Sequence, residues 1–409
     1  MFPVDAIRAR FPALQREMNG RKAVFFDGPA GSQVPSVVIE SIKHYYEHHN
    51  ANHGGSFLTS RESDAVVDGA RTKVASFLNA RSDQEIVFGA NMTTLTFAFS
   101  RALAATWQPG DEILVSQADH DANVSPWVRA AADRGVTVKH IPLISPSCRL
   151  DLEAFQQLLS PKTKLVAVSC ASNAVGTIQP FQQMIPLAHA VGAEVFLDAV
   201  HFAPHQLVDV QAWDCDYLCC SAYKFFGPHV GILYAKQHRL EELQPYKVRP
   251  SPETNPDRWM TGTQNFAAIA GVGAAIDYLA SIAPSTGPVR TQLETSFQQI
   301  NAYEQQLCEY FLTKLASIPG SKVWGVTKQD NLSDRVATFG ITFDRHTPRQ
   351  VADALAEYGI FSWAGNFYAL PLTEALNLEP EGMLRIGLLH YNTTEEIDYL
   401  VSCLQQILE

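Results

Sequence analysis

Short apolar runs alternate with longer amphipathic stretches along most of the chain. The short runs have the length and composition of strands, and the stretches between them have the period of helices. This alternation is typical of a doubly wound, mainly parallel sheet with helices on both faces. We therefore predict an α/β fold, with early strands at 85–88, 111–116, 137–142 and 165–169.

The alternation changes after a break rich in Ser, Thr, Gly and Pro that ends at Pro288. A long amphipathic stretch, 289–318, follows the break, and strand-like and helical runs come after it. We predict an N-terminal segment packing on the small domain, a large domain with the mainly parallel sheet, and a smaller α+β C-terminal domain. Their predicted bounds are 1–24, 25–284 and 285–409.

Two of the apolar runs have one ionisable residue each at or just after their carboxyl end. The first run leads to Asp198, and the second, which begins at Tyr217, leads to Lys224. Because the carboxyl ends of parallel strands share one edge of a sheet, we expect Asp198 and Lys224 to converge in one crevice.

Lys224 is followed by two aromatic residues, Phe225 and Phe226, and lies between apolar runs. Burial there lowers the pKa of an ammonium group, and a neutral amine can act as a nucleophile and form a Schiff base. A lysine imine and an aspartate beneath the ring nitrogen are the protein groups that pyridoxal 5'-phosphate requires. We predict this cofactor, with Lys224 and Asp198 catalytic; for the lysine alone, a side chain reaching solvent from a loop is the alternative.

Charge and hydropathy narrow the class of protein. The 409 residues carry a net charge of −11 and no long Lys/Arg cluster, which argues against nucleic acid or an anionic membrane as a partner. No apolar run approaches the roughly 18 residues of a spanning helix, and the N-terminus lacks a signal pattern. We expect a cytoplasmic protein.

Seven cysteines are scattered without C-x-x-C spacing, so we expect buried thiols rather than a disulfide framework or a zinc site. A histidine group, His44, His48, His49 and His53, contains the i,i+4 spacing that can bind a metal. No other Cys, His or acidic cluster completes it, and a helix end rich in aromatic residues explains it equally. We therefore predict no metal site.

A Gly-containing turn at 89–92 precedes a predicted helix. Free N–H groups and the positive dipole end of a helix N-terminus can cradle a phosphate. We expect Ala90, Asn91 and Met92 to provide this contact through the backbone, with Asn91 also capping the helix.

Taken in order, these motifs resemble the class V aminotransferase family, and within it the cysteine desulfurase-like group. The resemblance runs nearly end to end, from Phe-Phe-Asp-Gly-Pro-Ala-Gly at 25–31 to Arg-Ile-Gly-Leu-Leu-His-Tyr-Asn-Thr at 385–393. It implies fold type I of the pyridoxal-phosphate enzymes, and a lyase or transferase that acts on a small amino acid.

The resemblance also implies roles around the cofactor ring. The segment 119–127 is similar to the family's Glu-His-His-Ala-Asn-x-x-Pro-Trp, which implies that His120 lies flat against the ring as a third catalytic residue. The same comparison implies that Asn173 and His201 lie near the ring hydroxyl and that Ser221 contacts the phosphate. Taken alone, His120 is an ordinary residue at the end of a strand.

Arg385 lies within an apolar run, where a guanidinium can clamp a carboxylate through two parallel hydrogen bonds. In the family, the matching arginine binds the α-carboxylate of the substrate, and Gly31 and Asn173 match positions beside the substrate. A buried structural ion pair is the alternative for Arg385.

Thr263 lies in a segment, 258–265, that resembles the family's Arg-x-x-x-Gly-Thr-x-Asn. In the family, this threonine reaches the phosphate held by the partner subunit. The resemblance therefore implies a homodimer with shared active sites.

Two positions depart from the family. Tyr223 stands where a histidine precedes the lysine, and Tyr368 stands where desulfurases carry the cysteine that accepts sulfur as a persulfide. Tyrosine cannot carry persulfide sulfur. We therefore predict a carbon–sulfur lyase that eliminates the β-substituent without an enzyme persulfide.

Two other functions stay open. An aminotransferase or amino-acid epimerase on the same scaffold needs only Lys224 as its proton shuttle. A non-catalytic regulatory module could keep the cofactor without turnover, but it would need neither an electron sink built on Asp198 nor the clamp at Arg385.

Overall fold

The computed structural model describes residues 2–327 and 329–409. Its largest sheet has seven strands. In chain order they are β1 (Ile86–Gly89), β2 (Glu112–Ser116), β3 (Thr137–Ile141), β4 (Thr163–Ser169), β5 (Glu194–Asp198), β6 (Tyr217–Ser221) and β7 (Gly231–Ala235). Across the sheet they lie in the order β1-β7-β6-β5-β4-β2-β3.

The sheet is mainly parallel. The neighbouring pairs from β6 through β5, β4 and β2 to β3 are all parallel, and β7 is antiparallel to both β6 and β1. The alternation of strands and helices in the sequence therefore predicted the correct α/β class.

Helices cover both faces of this sheet, so its central strands are buried on both sides. In β6, Leu218 and Cys220 belong to the core on one face, and Tyr217 and Cys219 belong to the core on the other, because successive side chains of a strand point to opposite faces. The helices of this part are Ser36–His44, Leu58–Leu78, Met92–Ala104, Ser125–Arg134, Leu152–Leu158, Phe181–Ala190, Val210–Trp213, Gln237–Glu242 and Phe266–Ala280.

The C-terminal part has its own four-stranded antiparallel sheet. Its strands are β8 (Ser321–Trp324), β9 (Thr338–Phe343), β10 (Trp363–Gly365) and β11 (Met383–Gly387), in the order β8-β9-β11-β10. The helices Val289–Leu315, Pro348–Glu357, Leu370–Ala375 and Thr394–Leu408 accompany it. The longest of these helices, Val289–Leu315, contacts the part of the molecule that contains the seven-stranded sheet. Its buried Glu304 Oε2 lies 2.7 Å from Nδ1 of His205, which is also buried.

The N-terminal segment contacts both parts of the molecule. Its short helix, Val4–Arg8, ends at Arg8, which forms a salt bridge of 2.7 Å with Glu396 near the C-terminus. Phe11 is buried against the ring of Phe226, which follows Lys224. The domain bounds at residues 24 and 284 stay predictions.

The amino-acid pattern also predicts helices over 63–78 and 35–49, and the structure differs at one boundary of each. The first helix begins earlier, at Leu58, which is exposed and therefore lies outside the apolar period that predicts the helix. The helix expected over 35–49 is α-helical only to His44 and continues as a π-helical segment, Tyr45–His49.

None of the helices in the described residues is both long and apolar enough to cross a membrane.

Candidate functional site

One cavity lies at the carboxyl ends of the parallel strands, and both Lys224 and Asp198 line it. Asp198 is the last residue of β5, and Lys224 ends a short helical turn, Ala222–Lys224, directly after β6. Because β5 and β6 are parallel neighbours, the structure brings together the two residues that the strand ends predicted. Of the other predicted site residues, His120, Asn173, His201, Ser221, Asn91 and Met92 also line this cavity.

Lys224 is 8% exposed, and its amino group donates to the carbonyl oxygen of Pro29. Burial lowers the pKa of this amine to about 7, with the charge of Arg385 acting in the same direction and Asp198 opposing the shift. The lowered pKa favours the neutral amine, which is the state required of a nucleophile or a proton acceptor.

Asp198 is buried, and its Oδ1 accepts a hydrogen bond of 2.8 Å from the N–H of Val200. Burial raises the pKa of this carboxyl to about 7; the Val200 hydrogen bond opposes the rise, and a second buried carboxylate, Asp119, adds to it. Asp119 accepts hydrogen bonds from Ser169 N–H at 2.9 Å and from Asn123 Nδ2 at 2.6 Å. Asp119 was not among the predicted site residues, although its position directly before His120 could have indicated it.

His120 lines the cavity, and its ring stacks with the ring of Tyr368. The two ring centroids are 5.4 Å apart, with 27° between the planes. His120 Nδ1 accepts a hydrogen bond of 3.0 Å from the N–H of Ala122. Burial lowers the pKa of His120 to about 4, and the charge of Lys224 acts in the same direction, so the ring is neutral and suited to stack on another ring.

The N-terminus of the helix Met92–Ala104 meets the cavity. Asn91 caps this helix, since its Oδ1 accepts a hydrogen bond of 2.8 Å from Thr94 N–H. Thr93 also lines the cavity, and it offers the hydroxyl that the residues at 91 and 92 do not. Thr93 was not among the predicted site residues, although its position in the first turn of this helix could have indicated it.

Ala90 and Thr263 lie elsewhere. Both line a second cavity of about 370 Å³, together with Gly89 and Thr94, and neither lines the cavity of Lys224. The structure therefore does not bring Ala90 to the cavity of Lys224. Thr263 was expected to reach the phosphate of the partner subunit, and this role stays a prediction.

Arg385 lies in β11, and its guanidinium is buried. Nη1 donates 3.0 Å to the carbonyl oxygen of Asn173, and the ring of Phe367 lies 4.1 Å from the guanidinium carbon. Burial lowers the pKa of Arg385 to about 9, and Asp27 and Tyr223 oppose this shift. Among the described residues, no carboxylate lies within salt-bridge distance of this arginine, so an incoming carboxylate would be its ion partner.

Gly31 does not line the cavity of Lys224. It lies against Tyr223, because a Cβ added to Gly31 would be 3.3 Å from the Tyr223 ring. The side chain of Asn173 donates a hydrogen bond of 2.9 Å to the carbonyl oxygen of Phe367, and its own Oδ1 is buried with no partner in the described part of the chain.

The segment around Tyr368 forms hydrogen bonds with two separate parts of the chain, at Asp121 and at Asn173. Phe367 and Tyr368 both have left-handed backbone angles, φ 57° and 58°, which cost energy for residues with a side chain. The carbonyl oxygen of Tyr368 accepts 2.7 Å from Asp121 N–H, and that of Phe367 accepts from Asn173. Tyr368 itself is 73% exposed.

All seven cysteines lie within the described residues, and all are buried as free thiols. None lines the cavity of Lys224. Burial raises the pKa of every one of them: Cys148, Cys170, Cys215, Cys219, Cys220, Cys308 and Cys403. In the described part of the chain, no group of three or more Cys, His or acidic side chains could hold a metal ion.

Gly231 supports the helix start at the cavity. A Cβ added to it would clash with the carbonyl carbon of Asn91 and lie 2.6 Å from Met92 N. We expect Gly231→Ala to lower stability by about 1–3 kcal/mol through overpacking, and to weaken cofactor retention by displacing this turn. Thermal unfolding and cofactor titration measure both effects. Gly69→Ala is the control, since a Cβ there meets nothing within 4 Å and the helical position favours alanine; equal effects of the two changes would contradict this role.

The cavity suits an aromatic cofactor with polar substituents. Within the described residues, His201 Nδ1 and Asn173 Oδ1 are buried without partners, and an amine, a carboxyl group and a neutral imidazole line the same cavity. An aldehyde, a ring nitrogen and a flat ring face are the chemical complements of these last three groups.

Comparisons with known proteins identify the family. The Aminotransferase class-V family model matches residues 24–400. A cysteine desulfurase of Escherichia coli strain K12 is 35% identical over 427 residues, which cover 100% of this chain and 98% of the relative. A cysteine desulfurase of Escherichia coli O127:H6 is also 35% identical, over 99% of this chain and 98% of the relative.

Solved structures agree with these relatives. The cysteine desulfurase CsdA (S-sulfonic acid) from Escherichia coli has a TM-score of 0.86 and 29% identity, with 100% of this chain and 99% of that chain covered. The apo cysteine desulfurase from Thermococcus onnurineus NA1 has a TM-score of 0.88 at 24% identity, with 100% and 98% covered, and supports the fold.

These findings confirm the predicted fold type I, the cofactor pyridoxal phosphate and the assignment as an enzyme. The chain belongs to the class V aminotransferase family and to its cysteine desulfurase-like group.

Proposed function

We propose that this enzyme is a carbon–sulfur lyase that releases sulfide from cysteine by β-elimination, without forming an enzyme persulfide. The observation that carries the proposal is the burial of all seven thiols away from the cavity. Cysteine is proposed as the substrate because the relatives are named cysteine desulfurases. The overall reaction balances without an oxidant: cysteine and water give pyruvate, ammonia and hydrogen sulfide.

Lys224, Asp198 and His120 would act from the cavity that they line, and Arg385 would act from beside Asn173, which also lines it. Bound pyridoxal phosphate supplies an electron sink for the pair released when a bond at the substrate Cα breaks. Asp198 would lie beneath the ring nitrogen, and His120 would cover one ring face. Arg385 would bind the substrate carboxylate. Lys224, with its pKa lowered to about 7, would take the proton from Cα and return a proton to the leaving sulfur.

The same geometry disfavours sulfur transfer to the protein. A desulfurase needs an accessible thiolate, and burial raises the pKa of each thiol here, so the thiolate is scarce. Cys219 and Cys220 are near Lys224 in sequence, but they point into the cores on opposite faces of the sheet. At the position that the family resemblance aligns with the persulfide cysteine, Tyr368 offers only a phenol.

We expect equal amounts of sulfide and pyruvate from cysteine, and no covalent persulfide. Intact-protein mass spectrometry after exposure to cysteine, with sulfide and pyruvate assays, tests this. Tyr368→Cys is the positive control, because it places a thiol on an exposed segment where an adduct can form. A persulfide on any native cysteine, lost together with sulfur release when that residue is changed to Ser, would overturn the proposal. Keto acid formed without sulfide would favour the aminotransferase instead.

We also propose a homodimer with shared sites. Exposed large apolar residues cluster on and after the helix Ser36–His44, which is typical of a subunit interface. They are Val37, Ile39, Tyr46, Phe57 and Leu58. Thr263 shares a cavity with Ala90 of its own chain. In the competing arrangement, Thr263 contacts the cofactor phosphate that its own chain holds.

Mixing two inactive variants distinguishes these arrangements. In a shared-site heterodimer of Lys224→Ala and Thr263→Ala protomers, one site carries both changes and the other carries neither. We therefore expect activity to recover on mixing equal amounts, up to about one quarter of wild-type activity at full exchange, because about half of the dimers are then heterodimers and each has one intact site of two. No recovery despite proven subunit exchange would place Thr263 at its own chain's phosphate.

A further inference from the structure

His201 uses one ring nitrogen within the protein and leaves the other without a partner. Nε2 lies 3.0 Å from Oγ1 of Thr338, and Nδ1 is buried with no hydrogen-bond partner in residues 2–327 and 329–409. Both residues are buried, and His201 lines the cavity of Lys224. Thr338 begins β9, so this contact reaches His201 from the C-terminal sheet.

The His201 ring is neutral. Burial is the main cause that lowers its pKa well below the ordinary value, and the charges of His205, Lys224 and Arg385 lower it further. A neutral imidazole carries one proton, on either Nδ1 or Nε2. The hydrogen bond made by one nitrogen decides where that proton lies, so the direction of the Thr338 contact sets the character of Nδ1.

The Thr338 hydroxyl determines that direction. Within the described residues, its hydrogen-bond partner is His201 Nε2 alone. If Nε2 carried the proton and donated it, the hydroxyl hydrogen of Thr338 would be buried without an acceptor, which is unfavourable. If the hydroxyl donates to Nε2, its hydrogen has an acceptor and the ring proton must be on Nδ1. His201 lines the cavity, so an oxygen of a bound cofactor would accept this proton and leave neither hydrogen unpaired.

We propose that Thr338 is a positioning residue that holds His201 in the Nδ1–H tautomer, so that His201 donates a hydrogen bond to an oxygen of the cofactor ring. The cofactor contact of His201 rests on the proposed function, and that contact gives the Nδ1 proton its acceptor. A fixed donor favours an oxygen that carries negative charge, since hydrogen bonds to charged acceptors are the stronger ones. Through Thr338, the C-terminal sheet would thereby contribute to cofactor recognition.

Nitrogen NMR of the full-length protein tests the tautomer directly. With ¹⁵N-histidine labelling, protonated and bare ring nitrogens give well separated shifts, and the His201 signals are those lost in His201→Gln. We compare wild type, Thr338→Ser and Thr338→Val, with and without cofactor. Serine keeps the hydroxyl, whereas valine keeps the shape and removes it.

We expect Nδ1–H in wild type and in Thr338→Ser, and a shift towards Nε2–H in cofactor-free Thr338→Val. Cofactor should also bind about tenfold more weakly to Thr338→Val, as for the loss of one hydrogen bond to a charged acceptor. An Nε2–H signal in wild type, or an unchanged tautomer in cofactor-free Thr338→Val, would overturn the proposal. The wild-type spectrum decides even if the valine variant fails to fold, and no outcome depends on which reaction the enzyme catalyses.

Discussion

Changing Lys224 to alanine is expected to leave a folded protein that no longer holds its cofactor covalently and has lost almost all activity. The amine is buried, donates to the Pro29 carbonyl oxygen and has a pKa lowered to about 7. Its position and its lowered pKa therefore suit the proposed roles of covalent anchor and proton shuttle. Loss of proton transfer alone lowers rates by about 10²–10⁴-fold, and loss of the anchor adds to this.

Borohydride fixation followed by peptide mass spectrometry measures the anchor, and sulfide release measures the rate. Lys224→Arg separates charge from chemistry, because it keeps a cation but cannot anchor an aldehyde. Lys43→Ala, which removes an exposed surface amine, should behave as wild type. If cofactor were still fixed in the Lys224→Ala protein, another amine would be the anchor, and our assignment of the site would be wrong.

The fold was predictable because its signals are local. Each buried parallel strand is a short apolar run. β5 ends at Asp198, and β6 ends at Ser221, directly before the turn Ala222–Lys224. Parallel pairing then brings strand ends to one edge with no knowledge of distant contacts. Element starts were less predictable where the apolar period fails, as at Leu58, which is exposed in the first turn of its helix.

A site residue was predictable only where the residues next to it in sequence indicate its role. Thr338 and Phe367 approach His201 and Arg385 from the C-terminal part, and nothing adjacent to them in sequence indicates those contacts. Asp119 raises the pKa of Asp198 through space, which requires the register of strands β2, β4 and β5. Ala90 shows the opposite failure, since Asn91, which follows it in sequence, lines the cavity of Lys224, whereas Ala90 lines another.

Arg385 combines features that are costly unless a ligand compensates for them. Its guanidinium is 5% exposed, donates to the carbonyl oxygen of Asn173 and packs against Phe367. A carbonyl oxygen and an aromatic ring do not neutralise a full charge, and burial lowers the pKa of Arg385 to about 9. A substrate carboxylate would provide the missing charge with two parallel hydrogen bonds.

We therefore expect Arg385→Ala to weaken cysteine binding by about 2–5 kcal/mol, which is the usual cost of truncating one partner of a buried charge pair. The fraction of bound cofactor should stay unchanged, because the cofactor's proposed anchor and ring contacts lie on other residues. Arg385→Lys should fall between wild type and alanine, since lysine keeps the charge but loses the two-point geometry. Titration with cysteine, followed by the cofactor absorbance, measures the three dissociation constants.

Removing the carboxylate from the ligand tests the same contact from the other side. Cysteamine, which is cysteine without its carboxylate, should bind wild type weakly and should lose little further affinity in Arg385→Ala. Because the two deletions remove one interaction, their effects should fall well short of adding. Arg349→Ala, at an exposed ion pair on the surface, is the control and should bind cysteine as wild type does. If the effects of Arg385→Ala and of cysteamine simply added, the carboxylate would bind elsewhere and Arg385 would hold Asn173 and Phe367 in place for structural reasons alone.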